Sequence, residues 1–111
     1  MKVLFLDVDG VLNTDGVLEL SWLLGNKSNA LCPHRIRLIS QIIQETGAEV
    51  VISSDWRLDE HTPALDILRA ALCMWAIPIY SLTPDLSVTG YRPARWQEIE
   101  AWMNLCDEDI D

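Results

Sequence analysis

The sequence predicts a single α/β domain organised as a three-layer parallel sheet, and three observations lead there. Short apolar, β-branched runs alternate with segments of about a dozen residues whose apolar positions recur at helical spacing. Half of the 111 residues are hydrophobic, enough for one packed core, and 5 Gly and 5 Pro are too few for a disordered, collagen-like or low-complexity chain. No repeat, linker or shift in composition divides the chain, so residues 1–111 read as one domain, with an acidic tail over 105–111.

The first element is residues 2–9 (KVLFLDVD), an apolar run ending in acids, as in a strand buried on both faces of a parallel sheet. Asn13-Thr14-Asp15-Gly16 signals a turn, and residues 17–24 fit both the period of a hairpin arm and that of a short helix. Pro33 stands at the first position of a helix. Ile36, Ile39, Ile42 and Ile43 share its apolar face, and Gly47 is placed to end it. Residues 49–53 (EVVIS) read as the second strand, followed by a polar loop over 54–61. Thr62-Pro63 opens a second helix with Leu65, Leu68, Leu72 and Trp75 on its apolar side. Residues 76–82 form a short third strand, which Pro78 assigns to a sheet edge. Pro93 opens a third helix whose Trp96, Ile99 and Met103 share a face, and the tail CDEDID follows.

Charge narrows the function classes. Seventeen acidic residues against 8 basic give a net charge of -9, which repels phosphodiester backbones, so nucleic-acid contact is expected to be local and transient. Asp7 and Asp9 interrupt the N-terminal apolar run, and no run reaches the ~20 apolar residues of a membrane span. Cys32, Cys73 and Cys106 lack CxxC spacing and neighbouring histidines, as expected of reduced thiols in a cytoplasmic protein. His34 and His61 have no partner pattern and are expected at the surface.

Open parallel sheets bind ligands at the carboxyl ends of their strands. Three stretches fall there: Asp7-Val8-Asp9-Gly10, Ser53-Ser54-Asp55 and the start of the third helix. Two carboxylates two residues apart repel unless a cation or a shared proton compensates, although Asp-Gly is also an ordinary turn dipeptide. An EF-hand fails, because Val11 and Leu12 stand where its oxygen ligand and glycine belong. A strand-end hydroxyl bonding its own loop is the plain alternative for Ser53, as a solvated arginine is for Arg92 and Arg95. Trp75, Trp96 and Trp102 are expected in the core, and Trp22 and Trp56 on the side of the site.

The whole string of an apolar strand followed by Asp7, Val8, Asp9, Gly10, Val11, Leu12 and Asn13 resembles the first motif of the haloacid dehalogenase (HAD) superfamily of phosphohydrolases, DxDG[VT]L. VVISSDWR, residues 50–57, looks like the second motif, a strand ending in Ser or Thr. Its Ser-Ser-x-Trp-Arg extension, with Arg95, Glu98, Ile99 and Trp102 later, is similar to the small capless HAD domains associated with RNA-repair proteins. The resemblance covers residues 1 to about 103 and implies a three-layer HAD-like (Rossmannoid) sheet. It implies that Asp7 is a nucleophile forming an aspartyl-phosphate and that Asp9 is a general acid and base. It also implies one Mg²⁺, held by the Asp7 carboxylate and the Asp9 carbonyl. Ser53 would donate to a phosphoryl oxygen, with Ser54 and Gly10 beside it. Arg95, or its competitor Arg92, would neutralise phosphoryl charge.

The chain departs from that superfamily at the fourth motif, an acidic pair at the end of a further strand beside strand one. Asp107, Glu108, Asp109 and Asp111 follow no apolar run and read as a solvated tail, which leaves the metal site one carboxylate short. Strand one then has an open apolar edge, so two copies are expected to pair as a homodimer, or the chain is a fragment or shortened form. No interval accommodates a cap, so small phosphate esters and exposed macromolecular ends both fit. The activity this implies is Mg²⁺-dependent hydrolysis of phosphomonoesters through Asp7. The alternatives are a catalytically weak or inactive remnant working as a dimeric interaction module, and a nucleic-acid-end phosphatase, which the net charge opposes.

Overall fold

Three strands, β1 (Val3–Leu6), β2 (Glu49–Ile52) and β3 (Ile79–Leu82), form one parallel sheet in the order β1-β2-β3. The computed structural model describes residues 1–13, 31–58, 64–88 and 90–111. The predicted element over 17–24, Trp22, His61 and the Thr62-Pro63 helix start lie outside them. Helices α1 (Pro33–Thr46), α2 (Ala64–Cys73) and α3 (Arg95–Leu105) complete the described fold.

Each element follows from its residues. Pro33 opens α1, where a missing N–H costs nothing, and Gly47 ends it at φ 70° with its N–H on the Ile43 carbonyl. β2 lies between the other two strands, and its Val50, Val51 and Ile52 are fully buried. Pro78 directly precedes β3, an edge strand, as the sequence predicts.

Strand alternation divides the core into two faces. Leu6, Val50 and Ile52 pack with Ile36 of α1 and with Leu68 and Leu72 of α2. On the opposite face Phe5, Val51 and Ser81 stand in register across the sheet. Trp102 of α3 covers that row, meeting the Phe5 ring edge-on at 5.5 Å and donating its Nε1–H to Ser81 Oγ at 2.9 Å. Two helices, a sheet and a third helix make the predicted three layers.

Several expectations need correcting. β1 is half-buried over Val3, Leu4 and Phe5, not buried on both faces, because it is an edge strand. Ile42 is exposed, since the buried side of α1 runs through Ile36 and Ser40. Trp75 lies beyond the end of α2 and is exposed, and Trp96 and Met103 are exposed as well. α3 instead turns Glu98 and Trp102 inward. The acidic residues of the tail are exposed, as expected, but its backbone is held beside Met1: the Met1 ammonium donates to the Asp109 carbonyl at 2.6 Å and the Asp111 N–H donates to the Met1 carbonyl at 2.9 Å. The same ammonium stands 3.7 Å from Asp111 Oδ1.

Glu98 faces inward because Arg57 is waiting there. Arg57 Nη2 meets Glu98 Oε2 at 2.8 Å, with the two side chains only 2% and 6% exposed. The same guanidinium donates to the carbonyls of Ser54, Thr83 and Pro84, and Glu98 Oε2 accepts the Leu86 N–H. One buried ion pair therefore ties together the turn after β2, the loop after β3 and α3. Glu98→Gln leaves the Arg57 charge buried without its partner and should lower the free energy of unfolding, measured in urea, by ~3–5 kcal/mol. A loss below ~1 kcal/mol, ordinary for an exposed pair, would contradict this role.

Candidate functional site

The chain leaves β1 at Asp7 and turns sharply. Val8, fully buried, anchors the turn by accepting the N–H groups of Val11 and Leu12 with its carbonyl, and Gly10 provides the positive φ, 80°, that the bend requires. Asn13, 1% exposed, staples it from within. Its Oδ1 accepts the Gly10 N–H, and its Nδ2 donates to Asp9 Oδ1, both at 3.0 Å. From α1, Arg35 Nη1 donates to the carbonyls of Gly10 (3.2 Å) and Val11 (3.0 Å), and the Cys32 N–H donates to the Leu12 carbonyl. Asp7 is half-buried and accepts the Val8 N–H on Oδ1 at 2.8 Å, while Asp9 is exposed.

β2 ends beside this turn. The Ser53 N–H donates to the Leu6 carbonyl at 2.9 Å, continuing the ladder one residue past the paired Leu6 and Ile52. Ser53 is 2% exposed, and its Oγ is a buried polar atom with no hydrogen-bond partner among the described residues. Ser54, fully buried, accepts the Trp56 N–H on its own hydroxyl at 3.2 Å. In the 3-10 turn that follows, Asp55–Leu58, the Trp56 ring packs against the core and its Nε1–H donates to Asp9 Oδ1 at 3.1 Å.

Basic residues approach from the third layer. Arg92 pairs with Asp55 Oδ2. Arg95 reaches Asp55 Oδ1 and Glu98 Oε1, each at 3.5 Å. Arg92 is largely in solvent and Arg95 partly covered. These groups, with Asp85 and Ser87, line a cleft of about 450 Å³ that Asp7, Asp9 and Ser53 do not line. Hydrogen bonds from the Ser87 hydroxyl and then its N–H hold the Asp85 carboxyl below the usual carboxylate range, so it stays ionised there.

Of the residues singled out in the sequence, Asp7 and Ser53 therefore extend neighbouring strands from a shared register, and Trp56 joins Asp9 to the same turn. Ser54 is held within its own turn. Arg95 and Arg92 share Asp55 and make no hydrogen bond or ion pair with Asp7 or Ser53. Sequence reasoning missed Arg35, an arginine two residues into a helix with nothing to mark its target. It also assigned no task to Asn13 or Arg57, although both stand inside the motif strings.

Among the described residues no group of three or more His, Cys, Asp or Glu is arranged to hold a metal ion. The donors at the strand ends are the Asp7 carboxylate, whose Oδ2 has no hydrogen-bond partner among the described residues, and the Asp9 main-chain carbonyl, which accepts no hydrogen bond from them. Two hard oxygens suit Mg²⁺, which keeps several waters and takes other positions from substrate phosphate. No helix among the described residues is long and apolar enough to cross a membrane.

No curated protein and no solved structure matches the chain. Residues 3–109 match the model of a family described as the HAD domain in Swiss Army Knife RNA repair proteins. Both strand ends just described fall within that match, as do the turns that follow them and the three described helices, and the chain belongs to this family of HAD domains.

Proposed function

We propose that the protein is a Mg²⁺-dependent phosphatase that hydrolyses phosphomonoesters through a covalent intermediate on Asp7. HAD membership points to phosphatase-type hydrolysis. The observation that carries the finer reading is the partnerless Ser53 hydroxyl, buried at the end of the strand next to Asp7. A buried hydroxyl without a partner costs ~1–3 kcal/mol, a cost that a bound phosphoryl oxygen would relieve.

Asp7 Oδ2 attacks phosphorus, and the bond to the leaving oxygen breaks as Asp9 gives that oxygen its proton. Asp9 then takes a proton from a water that attacks the same phosphorus. The bond from phosphorus to Asp7 breaks, releasing inorganic phosphate and restoring both carboxyl groups. Ser53 donates to a phosphoryl oxygen throughout, and Arg95 exchanges its long contact with Asp55 for phosphoryl charge. Mg²⁺, held by the Asp7 carboxylate and the Asp9 carbonyl, would neutralise phosphate charge that otherwise opposes the approach of Asp7.

The substrate is a small phosphate ester or an exposed macromolecular end. The family's association with RNA repair proteins favours a nucleic-acid end, and the net charge of -9 opposes one. A non-catalytic homodimeric module is the second reading, favoured by the open edge of β1. Lys2 and Leu6 turn their carbonyls to β2, so the backbone groups of Val3 and Phe5 face outward, where no described residue pairs with them. Assays of p-nitrophenyl phosphate and of 5′- and 3′-phosphorylated oligonucleotides, with and without Mg²⁺, separate these readings. Turnover of none of them by the wild type would leave the interaction module.

Asp7→Asn keeps the shape of the side chain but removes the attacking oxygen, so turnover should fall to background with an unchanged circular dichroism spectrum. Retained activity in that variant would refute the mechanism. Ser53→Ala should stabilise the unliganded protein by about 1 kcal/mol, because an unsatisfied hydroxyl is lost. The same variant should lose most of the rise in Tm that beryllium fluoride gives the wild type. A destabilised variant that still responds fully to beryllium fluoride would place the phosphate elsewhere.

A further inference from the structure

Asp9 can serve as acid and base only if one of its oxygens is held and the other is left to carry the proton. That division is present. Two N–H donors converge on Oδ1, Asn13 Nδ2 at 3.0 Å and Trp56 Nε1 at 3.1 Å, and among the described residues no hydrogen bond reaches Oδ2. A carboxylate oxygen has two acceptor positions, so both of those on Oδ1 are taken and the transferable proton belongs on Oδ2.

The two donors differ in what they hold the carboxylate against. Asn13 lies in the same turn as Asp9, so it fixes the side chain only within that turn. Trp56 belongs to the turn after β2, three residues beyond Ser53, and its ring is lodged against the core. Ser54 secures this turn from below by accepting the Trp56 N–H. The indole bond thus refers the position of the Asp9 carboxylate to the strand that carries the phosphoryl-binding hydroxyl, not merely to its own loop.

We propose that Trp56 is a positioning residue that holds Asp9 Oδ1 through its indole N–H, so that Oδ2 is aimed at the leaving oxygen. The inference rests on the phosphatase reading above and adds to it a residue from a different strand end. The indole makes no contact with the reacting phosphoryl group in this role. Its removal affects the proton transfer and leaves phosphate binding alone.

Leaving groups separate these effects. An alkyl alkoxide needs a proton as it departs, whereas p-nitrophenolate leaves without one, so only the alkyl ester depends strongly on a well-placed acid. Trp56→Phe keeps a ring in the core and deletes the N–H. It should lower kcat/KM for an alkyl phosphate by about 10- to 100-fold, part of the ~10²–10⁴-fold that general acid–base catalysis supplies. Its kcat/KM for p-nitrophenyl phosphate, which reports the first phosphoryl transfer and not the later hydrolysis that also uses Asp9, should change less than about threefold. Asp9→Asn, run alongside, should show the same dependence on the leaving group more strongly. If Asp9→Asn discriminates between the esters and Trp56→Phe does not, the positioning role is overturned and the phosphatase reading stands. If neither discriminates, the role of Asp9 falls, and that of Trp56 with it. A readout independent of activity is the indole N–H proton resonance of Trp56, assigned by its disappearance in Trp56→Phe. It should move upfield in Asp9→Ala, and an unmoved resonance would overturn the contact itself.

Discussion

Parallel pairing that sets Leu6 beside Ile52 is the constraint from which the site follows. Because both strands run the same way, their carboxyl ends emerge together, and the Ser53 N–H still reaches the Leu6 carbonyl after the strands have formally ended. Asp7 and Ser53 are therefore the next residues out on adjacent strands. A slip of β2 by one residue would turn Val50 and Ile52 out of the main core and change which residue stands beside Asp7 at the strand ends. The apolar face of the sheet thus fixes the chemistry at its rim, since the buried side chains tolerate only one alignment.

Around that alignment the polar groups divide into those that are satisfied and those that are not. Gly10, Asn13 and Arg35 complete the hydrogen bonds of the turn after β1, and Arg57 donates to the carbonyls of Ser54 after β2 and Thr83 after β3 while neutralising Glu98. Ser53 Oγ stands out against this background as the one buried side-chain N or O atom recorded without a partner among the described residues. Buried polar atoms are nearly always paired, so the exception, beside a carboxylate with an oxygen left over, is where a ligand with acceptor oxygens has most to contribute.

Much of this was legible in the sequence, and the parts that were not have specific causes. β1, α1 and β2 were marked by features acting within a few residues: an apolar run closed by acids, Pro33 and Gly47 at the ends of one helix, and a β-branched stretch. Strand polarity pointed to the stretches that begin at Asp7 and Ser53, and the resemblance supplied the roles expected of them. The orientation of α3 was not legible, because its inward side is chosen by a partner remote in sequence. Arg57 draws Glu98 inward, Trp102 follows one turn later, and Trp96 and Met103 are left outside despite being the more apolar choice. The convergence of Trp56 and Asn13 on one oxygen of Asp9 was hidden for the same reason. It depends on where two turns from different strands meet.

The central claim is that Asp7 becomes covalently phosphorylated, and chemical trapping addresses it directly. Protein quenched during turnover of a phosphomonoester with Mg²⁺ would be treated with borohydride, which reduces an acyl-phosphate to the alcohol, and then mapped by peptide mass spectrometry. The account predicts homoserine in place of Asp7 in the N-terminal peptide, dependent on substrate, with Asp9 unchanged. Active turnover with no reduced aspartate, or with reduction at another carboxylate, would contradict it.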